Sequence, residues 1–527
     1  MEQVGAFEQL NELDRDEEIE GRVAIHDSDH VEVKLDCRLG ANSKSRYRVE
    51  TYFFVPGSLG LNKSTYSRQH FYNDVQTYLR FKTPSIPLAE LADRAKADSP
   101  LAQIRSLLEG SQRARRDREL PKELSYQLRM FGCVARARMR YRIGAIKERI
   151  AGLPEGEDRY QVLVADIGAM TNRFSDEVEH LLGEWRALRA SFLDVTTKPA
   201  TRDMYLHVDE YLSLVAEESI TLLVRYVDRS ESLNGEMTSA RSRLCELLMS
   251  EREYRAGAGY VTAKSLNGSG ETFVYRRSML KKLVTSVLWL EVDKQQEGKT
   301  IADAAAAFAA GIAMLFAVLA TIFATQLWMI NTSAFVAAAV VTYMLKDRIK
   351  DWLKRYFSRR INRFLPDYNV NIRDPMTDED IGSSRETFGY VSQEHVPDDV
   401  LRLRHQQAQS EVETEAKQEV ILRYDKEIRL RSKEVIQRMH LEDYDLNDIT
   451  RFALWQMLIR ADDPKYAVPM YDPEDDIVEK RAFRRVYHLN IVMVFYAGAR
   501  GSEATSMQHL RVIFDKQKIR RLEHIER

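Results

Sequence analysis

Three short groups of residues carry the side-chain types that bind metals or catalyse reactions. Residues 26–30 (HDSDH) precede an alternating strand pattern, where Asp and Ser favour a turn, and no third His or Cys stands at ligand spacing. One helix face presents Asp203, His207 and Glu210, a combination that surface helices produce by chance. The glycine-rich residues 267–270 lack the Lys-Ser/Thr that follows in a phosphate-binding loop. The sequence therefore predicts no catalytic residue, no metal site and no cofactor, and an enzyme with a dispersed site is left as an alternative.

The residues that decide the class of protein are those without charge. Residues 304–345 contain no Asp, Glu, Lys, Arg or His, and a run of that length supplies two membrane-spanning helices of about 20 apolar residues each. A polar break near Gln326 divides the run. We predict a transmembrane helical hairpin over residues 301–345, with a first helix at 304–327 and a second at 333–345. The second apolar segment is about 20 Å long, shorter than the hydrocarbon core of about 30 Å, so a re-entrant segment is the alternative to a second full span.

Basic residues flank this run on both sides. The cations that precede it are Arg276, Arg277, Lys281, Lys282, Lys294 and Lys299. The cations that follow it are Lys346, Arg348, Lys350, Lys354, Arg355, Arg359, Arg360 and Arg363. Because positive flanks stay on the cytosolic side of a membrane, this distribution predicts that both termini are cytosolic. The protein is therefore expected in the cytoplasmic membrane, with two spans and large cytosolic regions.

The cations after the run belong to a predicted basic amphipathic helix, residues 346–364. Ile349, Trp352 and Tyr356 stand at helical spacing between them. Such a helix is predicted to lie on the membrane surface, with its aromatic side chains at headgroup depth and its cations on anionic headgroups. The alternative is a straight continuation of the second helix that packs on the soluble part of the protein.

Small residues recur at four-residue spacing in the first predicted helix. Two such pairs are Ala307 with Gly311 and Ala313 with Ala317. Because small side chains let helices approach closely in lipid, this face is predicted to pack on the second helix or on another copy of the chain. A homo-oligomer is therefore an expected partner, beside the anionic bilayer. No charged residue lies within either span, so nothing indicates an ion pathway, and a pore made by oligomerisation is left as an alternative.

The N-terminal region, residues 1–94, is predicted to be rich in antiparallel β structure. Residues 31–39 alternate apolar and charged side chains, and residues 47–55 alternate as well. We predict that these two segments pair as a hairpin. Residues 22–26 fit a further short strand.

The C-terminal region, residues 365–527, is predicted to combine helices with a β-hairpin. Residues 402–440 are highly charged and are predicted to form a solvated helix. Residues 449–459 fit a short amphipathic helix. Residues 486–497 and 510–514 are predicted to pair as strands across a Gly/Ser-rich loop.

The region between the N-terminal region and the membrane run, residues 95–300, is predicted to be mainly helical. A seven-residue apolar repeat covers residues 160–192 and a related pattern covers 205–226, which indicates a coiled-coil-like bundle within one chain or shared between subunits. Residues 121–150 form a helix with one apolar stripe and otherwise basic faces. Its arginines are predicted to contact anionic lipid or nucleic acid, or to pair with acidic helices. Two β-like runs joined by a tight turn lie within residues 260–275.

Composition sets the class of protein but not its chemistry. The 527 residues carry 78 Lys and Arg against 80 Asp and Glu, a formal net charge of −2. That balance excludes a protein that is basic overall, such as a nucleic-acid coat, and an acidic disordered chain, so nucleic acid is not an expected partner. We expect an α+β membrane protein that acts as a non-enzymatic, membrane-tethered scaffold or signalling component and self-associates. The alternatives are an oligomeric pore-forming or membrane-perturbing effector, and the enzyme with a dispersed site.

Overall fold

The protein mixes long helices with several antiparallel sheets. The computed structural model describes residues 19–38, 45–93, 99–113, 120–153, 157–229, 237–261, 270–295, 297–327, 332–361, 366–375, 378–406, 419–431, 445–473, 477–497 and 504–525. The chain divides into two compact units. Residues 80–289 build the helical unit. Residues 18–79, 290–374 and 378–527 build the β-rich unit.

The strands are numbered along the chain. They are β1 Ile19–Ile25, β2 His30–Arg38, β3 Ser45–Pro56, β4 Val75–Phe81, β5 Glu291–Gln295, β6 Tyr368–Asp374, β7 Glu379–Val391, β8 Glu419–Leu430, β9 Asp445–Ala453, β10 Lys465–Asp472, β11 Ile477–Arg484, β12 Tyr487–Ala497, β13 Ala504–Phe514 and β14 Ile519–Ile525. The α-helices are α1 Arg68–Asp74, α2 Pro100–Arg113, α3 Leu120–Ala151, α4 Glu157–Ala187, α5 Arg189–Leu193, α6 Pro199–Arg229, α7 Thr238–Gly257, α8 Glu271–Thr285, α9 Glu297–Leu327, α10 Ser333–Ile361, α11 Asp398–His405 and α12 Trp455–Leu458.

The β-rich unit contains an eight-stranded sheet and a four-stranded sheet. The larger sheet has the order β14-β13-β12-β3-β8-β7-β6-β5, and the smaller one the order β1-β2-β9-β4. Among the described strands, β10 and β11 pair with each other alone and form an exposed ribbon. Each of the two main sheets joins strands from the N-terminal region to strands from the C-terminal region, so these two regions share one core.

Aromatic side chains from both main sheets meet in that core. Phe53 of β3 lies against Phe452 of β9, with ring centroids 5.0 Å apart. Phe71 of α1 stacks on Phe388 of β7 at 3.9 Å. Large rings contribute most of the apolar area that such a core buries, and offset or edge-to-face contacts between them add to its stability.

The predicted hairpin between residues 31–39 and 47–55 is wrong, although both segments are strands. Strand β2 pairs with β1 and β9, whereas β3 pairs with β8 and β12. The physical reason is burial. Strand β2 alternates between buried and partly exposed side chains, whereas residues 49–55 of β3 are buried without interruption at the centre of the larger sheet.

Two helices predicted in the C-terminal region are also wrong. Residues 402–440 contain the end of α11 and then β8, and residues 449–459 contain the end of β9 and then α12. The high charge of β8 is the reason that a solvated helix was predicted there. In the structure its charged side chains form ion pairs with the neighbouring strand β3. Arg48 Nε of β3 donates to Asp425 Oδ1 at 2.8 Å, and Arg46 lies 2.5 Å from Glu427. The predicted pair of strands near the C-terminus is confirmed as β12 and β13.

The helical unit confirms the predicted seven-residue repeat as a buried seam of α4 and α5. Four rings stack in series: Phe131 on Trp185 at 4.8 Å, Trp185 on Tyr205 at 4.9 Å, and Tyr205 on Phe192 at 4.3 Å. The seam is therefore filled within one chain by α3 and α6. The second β-like run predicted within residues 260–275 is wrong, because α8 begins at Glu271.

A buried acidic residue links the same helices. Asp209 of α6 accepts hydrogen bonds from Trp185 Nε1 at 3.1 Å and from the hydroxyls of Tyr254 and Tyr260 at 2.6 Å each. Arg189 donates to the same carboxylate at 3.1 Å. Because a buried charge is tolerated only when it is paired and hydrogen-bonded, this group fixes how the helices meet.

Candidate membrane hairpin

The larger sheet positions the candidate membrane segment. Strands β5 and β6 are antiparallel neighbours at one end of this sheet, and Gln295 pairs with Asn369. Helix α9 begins two residues after β5, and α10 is the helix that precedes β6. The two helices are thus an insertion between adjacent strands, which holds the start of α9 and the end of α10 near each other.

Helices α9 and α10 pack side by side in opposite directions. The ring of Phe308, near the start of α9, lies 5.9 Å from the ring of Phe357, near the end of α10. Counting equal numbers of residues from this contact along each helix places Lys346 about level with Leu319. The charged second half of α10 therefore lies beside the first half of the apolar span of α9, which begins at Ala306.

Among the described residues, one helix is long and apolar enough to cross a membrane. It is α9 over Ala306–Leu327, which has 22 residues and a mean hydropathy of 2.4. Helix α10 does not meet the same criterion, because charged residues fill its second half. The structure therefore supports the first of the two predicted membrane spans and does not support the second.

Most of the apolar surface of α9 is exposed, and only 11% of the residues in its span are buried. The large exposed side chains are Phe308, Met314, Leu315, Phe316, Val318, Leu319, Ile322, Phe323 and Leu327. The hydroxyl groups in the span are satisfied within the helix, because Thr321 donates to the Ala317 carbonyl at 2.8 Å and Thr325 to the Ile322 carbonyl at 2.7 Å. Such a surface is compatible with hydrocarbon, where backbone and hydroxyl groups must find internal partners.

The small residues predicted to pack lie on two different sides of α9. Ala313 is buried and Ala317 half-buried, on the same helix face as the buried Ala309 and Ala324. Ala307 and Gly311 are exposed. A methyl group added at Gly311 would meet no atom within 4 Å. The face that contains Ala313 is the one available to α10, and the face that contains Gly311 is open.

The predicted membrane-surface cations lie along the second half of α10, which runs without a break from Ser333 to Ile361. Lys346 is half-buried, 3.8 Å from Asp347 and 4.0 Å from the centre of the Tyr343 ring. The exposed cations are Arg348, Lys350, Lys354 and Arg355. Arg359 and Arg360 belong to the helix but their side chains, like residue Arg363, lie outside the described part of the structure. These cations therefore extend the second predicted helix instead of starting a separate one.

The helical spacing beyond the uncharged run was the signal that could have revealed this arrangement. Ile349, Trp352 and Tyr356 continue α10 to Ile361, so that its 29 residues nearly match the 31 of α9. The sequence predicted a membrane-surface helix for residues 346–364, with a continuation of the second helix as the alternative. It did not show that the contact of Phe308 with Phe357 aligns the charges of α10 with the apolar residues of α9.

The HDSDH segment forms a turn in which three side chains meet. Asp27 Oδ1 accepts from the backbone N–H groups of Asp29 at 3.1 Å and His30 at 2.9 Å, and His30 Nδ1 lies 2.9 Å away. Burial raises the pKa of Asp27, but these hydrogen bonds outweigh it and bring the pKa down to about 2. The three ligand atoms lie within 4.8 Å of one another. The hydrogen bonds are those of an Asp-initiated turn before β2.

Comparison of the chain with protein-family models, with curated proteins and with solved structures gives no match.

Proposed function

We propose that this protein is a membrane-anchored, self-associating scaffold that the α9–α10 hairpin holds to the bilayer, with both soluble units in the cytosol. The observation that carries the proposal is the exposed apolar surface of α9. Soluble monomers rarely expose contiguous apolar patches larger than a few hundred Å². The span of α9 is about 33 Å long at 1.5 Å per residue, so its length allows either a full crossing or a hairpin that enters only part of the hydrocarbon core.

The position of the charged residues along α10 favours a re-entrant hairpin, which enters and leaves the bilayer on the same side, over two full spans. If α9 crossed completely, Lys346, Asp347 and Arg348 would lie near the middle of the bilayer, because Lys346 is about level with Leu319. A charged side chain at that depth costs about 2.5–3.5 kcal/mol on insertion scales. A hairpin whose tip enters about 20 Å keeps these charges at the headgroups. Both helices then enter and leave through the cytosolic leaflet.

A re-entrant hairpin leaves the first half of the α9 span, about residues 306–316, outside the hydrocarbon. Met314 and Phe316 are exposed there, on a helix whose other side packs on α10. Contact with the same surface of a second copy would cover them, and this supports the self-association in the proposal. Gly311 lies in the same half and allows close approach of another helix.

Cysteine labelling in intact cells tests the anchor and its depth. In a variant without the native cysteines, Gln326→Cys places a thiol near the hairpin tip, and Asp378→Cys places one on an exposed loop of the β-rich unit. We expect neither thiol to react with an impermeant maleimide added outside, and the Asp378→Cys thiol to react once the membrane is permeabilised. Labelling of the Gln326→Cys thiol from outside would instead show a hairpin that crosses. A protein recovered in the soluble fraction would contradict membrane anchoring altogether.

A further inference from the structure

The cations of α3 form two groups with different surroundings. Arg129 Nη1 donates to Ser286 Oγ at 3.0 Å, Arg142 to Glu177 at 2.7 Å, and Arg138 to Ser85. These three therefore hold the helical unit together. Arg136 and Arg140, one turn apart, line a cavity together with Lys147.

This cavity lies between α3 and α6 and encloses about 440 Å³. Lys281 of α8 closes one side of it. Four cations and two carboxylates line the cavity, and one of the carboxylates, Glu218, is already paired with Arg277 at 2.6 Å. The lining is therefore strongly positive, in a protein whose overall charge is close to neutral.

The cations in the cavity oppose one another. Burial lowers the pKa of Lys281, and the neighbouring guanidinium groups of Arg136 and Arg140 lower it further. Burial and Arg136 likewise lower the pKa of Arg140. Four cations beside two carboxylates in one cavity favour a bound anion, which reduces the repulsion between the cations and accepts hydrogen bonds from them.

The rest of the lining is apolar and aromatic. Ile143 and Val215 are buried at the floor, and Leu222 and Tyr226 continue along α6. Lys147 Nζ lies 5.8 Å from the centre of the Tyr226 ring. The volume falls within the range of about 300–1,000 Å³ that is usual for small-molecule sites. The cavity therefore suits a small ligand with an anionic group at one end and an apolar or aromatic body at the other.

We propose that this cavity binds a small phosphate monoester, with the phosphate between Arg136, Arg140 and Lys281 and the organic part against Leu222 and Tyr226. Guanidinium groups bind phosphate oxygens through two parallel hydrogen bonds, and Lys adds a point charge. The same chemistry is offered by a free nucleotide and by the headgroup of phosphatidic acid, whose phosphate is also a monoester. The carboxyl-terminal ends of α3 and α6 lie at the Tyr226 end, where the helix dipoles are negative, which places the phosphate at the other end.

Calorimetry on the full chain in neutral detergent tests the site, with AMP as the nucleotide probe and glycerol 3-phosphate as the headgroup probe. We expect at least one probe to bind the wild type. In Arg140→Gln/Lys281→Gln its Kd should rise about tenfold or more, because two charge-assisted contacts are lost. The matched control is Arg149→Gln, which removes an exposed cation from the same helix outside the cavity and should leave the Kd within about twofold.

The two probes distinguish a nucleotide site from a lipid-headgroup site. Binding of AMP alone assigns the site to a nucleotide, binding of glycerol 3-phosphate alone to a lipid headgroup, and both results support the phosphate site. No binding of either probe, or an equal Kd in the double variant, overturns the proposal. If the double variant melts at a lower temperature than the wild type, the single change Lys281→Gln on the surface of α8 replaces it, with an expected rise in Kd of about threefold or more.

Discussion

The depth of the hairpin can be measured by moving one arginine along α9. Leu327 and Leu315 are both exposed, at 57% and 61%. Leu327 is the last residue of the helix, and Leu315 lies close to the middle of the span. In a re-entrant hairpin with Leu319 at the headgroups, Leu327 lies eight residues, about 12 Å, inside the hydrocarbon and Leu315 lies outside it. In a complete span Leu327 is near the far headgroups and Leu315 is deep.

The expected cost follows from the depth. An arginine at the centre of a membrane helix costs about 2.5–3.5 kcal/mol, and the replaced Leu contributes about 0.3–0.6 kcal/mol, so the change is about 3–4 kcal/mol. Near the headgroups an arginine extends to water and the cost is small. We therefore expect Leu327→Arg to lower the ratio of inserted to non-inserted hairpin by a factor of about 100 or more, and Leu315→Arg to lower it only a few-fold.

An insertion assay with residues 297–361 fused between reporter domains measures that ratio directly. The control is Leu193→Arg in the full chain, which places the same substitution at an exposed position of α5 in the helical unit and should not change membrane recovery. The opposite ranking, with Leu315→Arg the more harmful change, would refute the re-entrant hairpin and support a full span. Equal insertion of both variants and the wild type would refute the contact with hydrocarbon.

Three further predictions concern the core, the open face of α9 and the end of α10. Lys426 and Asp448 are 4% and 0% exposed and lie 2.5 Å apart. In denaturant titrations Lys426→Met should lower the free energy of unfolding by about 3–5 kcal/mol, because it leaves Asp448 buried without its partner, and adding Asp448→Leu should restore most of that loss. A double variant that is no more stable than Lys426→Met would contradict this. Gly311→Leu has room in one chain and should reduce oligomer mass in detergent, whereas an unchanged mass by light scattering would exclude this face as the contact between copies. A peptide of residues 344–364 should bind anionic vesicles and dissociate as salt rises, and equal binding to neutral vesicles would show that its cations do not anchor it.

The elements that the sequence predicted correctly are those whose pattern is long and local. The seven-residue repeat through Trp185 and Phe192 covers α4 and α5, and every turn repeats the same signal. The uncharged run that contains α9 is recognisable from composition alone. In both cases the residues that determine the structure are neighbours in the chain.

The elements that the sequence mispredicted depend on distant partners. Strand β8 carries charges that are typical of a solvated helix, and only its pairing with β3, through contacts such as that of Arg48 with Asp425, explains them. The arginines of α3 follow the same rule. They look alike in sequence, and only the structure shows that Arg142 contacts Glu177 of α4 and that Arg129 contacts Ser286 after α8. The alignment of Lys346 with Leu319 along the two helices likewise depends on the pairing of β5 with β6.

The position of β3 in the larger sheet has a consequence for how the protein is made. Strand β3 ends at Pro56, but its two neighbours, β8 and β12, begin at Glu419 and Tyr487. At a synthesis rate of about 5–20 residues per second, β12 leaves the ribosome roughly 20–90 s after β3. The apolar α9 emerges in between, so in the proposed topology the hairpin reaches the membrane while the central strand of the nascent chain still has two unpaired edges. Chaperones or early contact with the bilayer must protect those edges from aggregation until the last third of the chain closes the sheet.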